Sequence, residues 1–270
     1  MKYNLIIGRF SEIATKSPPV RKRLIRILVK NVKEAMSKNK IKAKVYAKYD
    51  RVFIETNEIK KSIKILTHIF GLVSVSPAIK IKLSDLDEVI KKYSFLAKNK
   101  KFAVRVRRVG IHDFTSKEME AKLGDLIIKN ARAKVDLKKP NITFFLDIRN
   151  EEVYLFFKII KCPGGMPVGS EQKVFCEIKN KRDMVASWLM LKKGCKLVIL
   201  PKISIKPLNK WLYGYHKIIK KGEEVFYSNL PIVSGNTLSQ GFIKTDKIVF
   251  YPIFCLKNNE IEKIYKKIKS

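Results

Sequence analysis

Between Tyr3 and Ile81 the apolar pattern switches between strand and helix spacing in the order β-α-β-β-α-β, which leaves few folds open. Residues 3–9 read as a strand, and Ser17 with Pro18 and Pro19 reads as an N-cap followed by first-turn prolines. Val20, Leu24, Ile27, Leu28, Val32 and Met36 then recur at helical spacing, leaving a strongly basic opposite face. Strands over 42–50 and 51–57, a helix from Ile59 to about Phe70 and a strand over 73–81 complete the unit. That order is the ferredoxin-like one, an α+β fold.

A second α/β unit follows. Ser84 is placed to cap a helix over Leu86–Ala97, residues 101–109 form a strand, and Thr115 or Ser116 caps the next helix. Residues 137–140 turn into a hairpin of 141–149 and 151–160. Cys162-Pro163-Gly164-Gly165-Met166-Pro167-Val168-Gly169 then breaks regularity and marks a domain boundary. Beyond it, residues 174–200 read as strand, turn, helix and strand. A helix near 207–221, strands over 223–230 and 247–256 and a helix over 258–269 complete a small, mostly parallel α/β sheet of shortened Rossmann-like type. The expected domains are 1–80, 81–170 and 171–270.

Charge narrows the partner. The chain has 58 Lys and Arg against 24 Asp and Glu, net +34, which points to a polyanion, nucleic acid or an acidic membrane surface. A lysine-rich thermophile surface would raise Glu as well, and Glu is not raised to match. Residues 171–270 carry +12, so both parts are comparably basic. No apolar run nears the roughly 20 residues of a spanning helix, and the β-α-β pattern already buries the apolar face of helix 20–37. A soluble, cytoplasmic chain with no membrane partner is expected. Cys162, Cys176, Cys195 and Cys255 are far apart, as reduced thiols would be, and share no metal-ligand spacing with the histidines.

The informative cluster is arginine, scarce where lysine supplies most of the charge. Arg105 and Arg107 alternate on one strand face and Arg108 can serve the adjoining edge; a guanidinium forks two donors onto a phosphate, as lysine cannot. In the turn that follows, His112 and Phe114 could stack on an unpaired base, or Phe114 could pack in the core and His112 lie in solvent. The helix start at Thr115 and Ser116 offers backbone N–H groups to a phosphate. Lys16, Arg21, Lys22 and Arg23 form a second basic surface, open to RNA or to solvent alone.

Residues 11–17 (SEIATKS) before the basic helix, the Arg105–Arg108 strand running into Gly110-x-His112-Asp113-Phe114-Thr115-Ser116, Val135-Asp136-Leu137, and Gly164–Gly169 occur in order. Together, over about residues 1–175, they resemble the N-terminal half of the 4-thiouridine synthetase family, ThiI, a ferredoxin-like domain followed by a THUMP domain. The resemblance implies tRNA binding, near the acceptor end, at the matched arginine strand and the His112–Ser116 turn. It also implies a third domain whose first strand ends in a PP-loop, Ser-Gly-Gly-x-Asp-Ser, that grips ATP to adenylate a uridine.

Here Ala186–Cys195 resembles the family's following helix, and counting back places the loop at Ile178-Lys179-Asn180-Lys181-Arg182-Asp183. None of the loop glycines is present, and point charges do not rebuild a nest of backbone donors. Val233–Gln240 resembles a later segment of the same domain. The family's sulfur-carrying cysteine falls beyond the last residue, and Cys255, in a predicted strand, is expected to be structural. The expectation is a tRNA-binding adaptor or RNA-binding subunit without cofactor or catalytic residues. The rival is a tRNA sulfurtransferase that uses a divergent ATP loop or a separate catalytic subunit.

Overall fold

A computed structural model describes residues 3–214 and 216–269. The first unit comprises β1 (Leu5–Arg9), α1 (Pro18–Lys38), β2 (Lys44–Lys48), β3 (Arg51–Glu55), α2 (Ile59–Leu66) and β4 (Ser74–Lys82). The second comprises α3 (Leu86–Tyr93), β5 (Lys101–Val109), α4 (Ser116–Ala131), β6 (Lys134–Val135), β7 (Ile142–Arg149), β8 (Glu152–Phe156) and β9 (Ile160–Lys161). Leu24, Leu28, Val32 and Met36 make the buried face of α1, as their spacing predicts, whereas Ile27 is half-buried and Val20, in the first turn, is exposed. Neither Ser17 nor Ser84 caps a helix with its side chain. Prolines start α1, and Ser84 Oγ donates to Asp85.

β4 joins the two units. It pairs with β1 through Ser74–Ala78 and with β8 through Ala78–Lys82, giving one sheet in the order β2-β3-β1-β4-β8-β7-β5-β6. Alternation along each strand puts α1 and α2 over Ile6, Val52, Ile54 and Val75, and α3 and α4 over Phe102, Phe144, Leu146 and Leu155. The pairing register places both sets on the same face.

The other face carries no helix, yet Leu5, Ile7, Phe53, Ala78, Tyr154 and Phe156 are buried on it. The sheet closes this face by curling. Phe53 on β3 and Tyr154 on β8 are three strand steps apart, about 14 Å in a flat sheet. Their ring centroids are 5.0 Å apart. The tip of the β2–β3 hairpin thus meets the β7–β8 hairpin along a seam. Lys48 Nζ donates to Glu152 Oε2 (3.0 Å), Arg149 Nη1 to Tyr49 O (3.1 Å), and Arg51 Nε lies 3.5 Å from Asp147 Oδ2. Burial alone would raise the Glu152 carboxyl, but bonds from Lys80, Lys48 and Tyr154 override it and bring the group to about 2.

The third unit contains β10 (Lys173–Ile178), α5 (Lys181–Lys193), β11 (Lys196–Pro201), α6 (Lys206–Asn209), β12 (His216–Ile218), β13 (Ile232–Val233), β14 (Val249–Phe250) and α7 (Asn258–Lys269). Its sheet is parallel, ordered β12-β11-β10-β13-β14. Three expectations fail here. The helix near 207–221 shrinks to α6, which stops at Asn209; beyond it Gly214 takes φ 101°, a left-handed value, and His216–Ile218 pair as β12. Residues 223–227 form a 3-10 turn, with Glu223 and Glu224 accepting from the amides of Lys220 and Gly222. The strand over 247–256 pairs only through Val249–Phe250, since Pro252 has no N–H to extend the ladder. Cys255 therefore lies outside any strand and is exposed.

The Cys162–Gly169 segment runs between the first and third units, and its amides are used by backbone. Gly164 donates to Leu72 O, Met166 to Lys192 O and Gly169 to Gly194 O. Asn31 Nδ2 on α1 donates to Val168 O at 2.9 Å. His68 and Phe70 of the first unit pack against Trp188 and Trp211 of the third, at centroid distances of 4.6 to 5.4 Å. Truncating one such buried ring costs about 3–5 kcal/mol, so the third unit is fixed to the first rather than tethered.

Candidate nucleic-acid interface

β5 is the spine of the site. Its alternation sends Arg105 and Arg107 to the inner, helix-free face and Arg108 to the helix-covered face beside Glu118. Arg105 is partly committed, since its Nη2 donates to Leu137 O at 2.8 Å. It pins the 136–140 turn, whose Asp136 carboxylate accepts from the amides of Lys138 and Lys139 and pairs with Lys101 at 3.1 Å. Arg107 is exposed, adjoins Asp147 in the ladder, and has no hydrogen bond or ion pair among the described residues.

The turn after β5 is braced by the β7–β8 hairpin. His112 Nε2 lies 3.1 Å from Asn150 O, and its ring rests 5.2 Å from that of Phe114. Phe114 packs partly buried against the second core, as the packing alternative has it, and His112 sits on it rather than in open solvent. Thr115, not Ser116, caps α4. Its hydroxyl accepts from Glu118 N (3.2 Å), and Glu118 Oε2 accepts from Thr115 N (2.7 Å), so two of the amides predicted to be free for a phosphate are taken. The Thr115 bonds hold the Glu118 carboxyl below the usual glutamate range.

The α1 surface reaches the same seam. Arg21 Nη2 donates to Lys16 O, and Arg21 lies 3.8 Å from Asp50 at the hairpin tip that also binds Arg149. Arg23 is exposed two residues on, about half a turn round α1 from Arg21. The structure thus gathers Lys16, Arg21 and Arg107 around one seam, with Arg105 further along β5 and Arg108 on the opposite face. Sequence reasoning missed Arg9, Arg51 and Arg149, which line this seam. Arginine scarcity is the signal that could have found them, since the chain has 11 Arg to 47 Lys.

The turn of the third unit is built differently from a phosphate cradle. Asn180 caps α5, its Oδ1 accepting from the amides of Arg182 (2.8 Å) and Asp183 (3.1 Å). Asp183 Oδ2 accepts from the amides of Lys179 (3.0 Å) and Asn180 (3.2 Å). Lys179 pairs with Glu177 and Lys181 with Glu262, both at 2.7 Å, so the turn is less basic than its sequence. Gly235 closes it from above. A Cβ there would lie 2.4 Å from Asp183 Oδ1 and 2.6 Å from Asp183 N.

Comparison with known proteins matches two families. Residues 5–76 match the ThiI ferredoxin-like domain and residues 84–158 the THUMP domain. A probable tRNA sulfurtransferase of Methanobrevibacter smithii is 35% identical over 210 residues, 74% of this chain and 54% of the relative. One from Saccharolobus solfataricus is 34% identical over 242 residues, 82% of this chain and 64% of the relative. The chain thus spans between half and two thirds of the length of these relatives. Among solved structures, PH1313 from Pyrococcus horikoshii Ot3 superposes with TM-score 0.84 at 24% identity, covering 99% of this chain and all of that one. A 4-thiouridine synthetase–RNA complex with bound ATP superposes with TM-score 0.77 at 21% identity, covering 98% of this chain and 85% of that one. Both likenesses are of fold, across all three units.

Proposed function

The chain is ThiI-like, carrying the ThiI ferredoxin-like and THUMP domains, and from that premise we propose that it binds tRNA without adenylating it. In this reading it is an adaptor or RNA-binding subunit of a tRNA-modification system, grouped as domains 1–80, 81–170 and 171–270. The RNA surface is the seam and its flanks: Arg105, Arg107 and the His112–Ser116 turn, with Lys16, Arg21 and Arg23 beside them, and Arg108 reaching the α4 start from the opposite face of the sheet. The relatives named tRNA sulfurtransferase and the RNA-bound synthetase of the same fold support the tRNA partner.

One observation carries the non-adenylating half. The amides that would face a nucleotide phosphate are bonded to Asn180 and Asp183, and Gly235 stands within van der Waals contact above them. A phosphate there would have to displace a carboxylate that already accepts two N–H bonds, and it would meet like charge on approach. The residues present do not fit ATP at this turn.

Two measurements test the reading. Titration with unfractionated tRNA should give binding that weakens steeply with salt, and calorimetric titration with Mg-ATP should give no saturable heat. The rival, a sulfurtransferase with a divergent loop or a partner subunit, predicts tRNA-dependent release of pyrophosphate from ATP. Such release by the purified chain would overturn the adaptor reading.

A further inference from the structure

The seam holds more positive charge than the protein neutralises. Arg149 makes a bidentate pair with Asp147, Nε to Oδ1 at 2.6 Å and Nη2 to Oδ2 at 3.2 Å. Arg51 shares the same carboxylate at 3.5 Å. Arg107 adjoins Asp147 in the β5–β7 ladder. From the β1 side Arg9 arrives, its Nη1 donating to Ser76 Oγ at 2.9 Å and its guanidinium lying 4.7 Å above the Phe156 ring. Four guanidinium groups therefore face one carboxylate.

The neighbouring acids are engaged elsewhere. Glu152 binds Lys48 (3.0 Å), Lys80 (2.6 Å) and Tyr154 Oη (2.8 Å), and Asp50 lies 3.8 Å from Arg21. Asp147, Arg51 and Arg149 are each at most 6% exposed, so solvent screens the surplus poorly. Burial first, and then Arg51, pull the Arg9 guanidinium down to about 10. A fold that needed only to close this seam would be served by one arginine on Asp147. Arg9 and Arg107 add charge with no protein anion of their own beyond the Asp147 carboxylate that Arg149 and Arg51 already share, and their forked donors suit the oxygens of a phosphate.

We propose that the mouth of the seam, between Arg9 of the ferredoxin-like unit and Arg107 of the THUMP unit, is a phosphate site spanning the two domains. It rests on the tRNA reading in taking RNA as the source, either an internal phosphodiester or a terminal monophosphate. Asp147 acts as a positioning residue, holding Arg51 and Arg149 as the fixed floor. Arg9 and Arg107 supply the contacts.

The test uses the full chain, wild type, Arg107→Gln and Arg9→Lys, folding being checked by circular dichroism. Arg107 is exposed, so its variant carries the test alone if Arg9→Lys does not fold. Each protein is titrated with a tRNA transcript bearing a 5′-monophosphate and with the same transcript dephosphorylated, and is melted with and without inorganic phosphate. Arg107→Gln should bind RNA about 10-fold more weakly, with a salt slope smaller by about one unit. Arg9→Lys should keep the slope and lose affinity about 3-fold, because charge remains and the fork does not. Phosphate should raise the melting temperature of the wild type but not of Arg107→Gln. Loss of the variant effect on the dephosphorylated transcript assigns the terminal phosphate, and persistence assigns the backbone. Wild-type affinity, slope and phosphate response in both variants would overturn the site while leaving tRNA binding intact. If the wild type binds no tRNA but phosphate still distinguishes it from Arg107→Gln, the RNA reading falls and the site stands for free phosphate.

Discussion

Among the described residues two α-helices begin with a capping box, α4 at Thr115–Glu118 and α5 at Asn180–Asp183. Around α4 the box spends two backbone donors and leaves the cap exposed beside an arginine strand. Around α5 it spends four, salt-bridges its lysines to Glu177 and Glu262, and seats Gly235 on top. Both caps lie at the surface, and the same local motif uses twice as many backbone donors at one helix start as at the other. What a helix N-terminus can bind depends on how many of its donors the chain has already used, more than on the dipole it presents.

RNA binding gives the largest contrast. Replacing Arg105 and Arg107 by Ala should weaken tRNA binding by about 10- to 100-fold and flatten the salt slope by up to about two units, whereas Lys181→Ala with Arg182→Ala should change affinity by no more than about 2-fold. Equal losses in filter-binding titrations would erase the distinction between the two turns. Next in size is Gly235→Ala, whose Cβ meets Asp183 backbone and carboxylate. It should cost about 1–3 kcal/mol in urea unfolding, and an unchanged midpoint would mean the turn is open after all. Asn180→Ala should cost about 1 kcal/mol and Thr115→Ala slightly less, because Asn180 Oδ1 serves two amides where Thr115 Oγ1 serves one. Reversal of that order, read from denaturation midpoints, would break the donor count. The smallest effect is in acid. Glu118 is lowered from its ordinary value, so its cap contributes above the unfolded pKa and is lost as pH falls through the folded one. Protection of the Thr115 amide, taken relative to its intrinsic exchange rate, should fall as pH drops through the lowered Glu118 pKa in the wild type, and Glu118→Gln should remove that pH dependence.

Most of the first two units was legible because their apolar residues keep a clean period and their turns carry Pro, Gly or a capping box. The arginine strand was legible for the same reason, alternation on β5. The seam was not. Arg9, Arg51, Arg107 and Arg149 lie up to 140 positions apart, and only the shared strand β4 and the curl of the sheet bring them together. The loss of glycine from the α5 turn could be read directly, but its filling by Asp183 and its closure by Gly235 arise only in the fold, since that pair lies 52 positions apart. Residues 203–256 were misread because helix- and strand-forming side chains there are overruled by Gly214, Gly222 and Pro252, whose backbone limits outweigh propensity.

Both tryptophans of the chain, Trp188 and Trp211, sit in the ring cluster that fixes the third unit to the first, 2% and 3% exposed. The protein therefore carries its own optical gauge. Indole emission reports the docking of the first unit as well as the packing of the third unit's own core, so a red shift that precedes loss of the circular dichroism signal would mark the moment the domains separate.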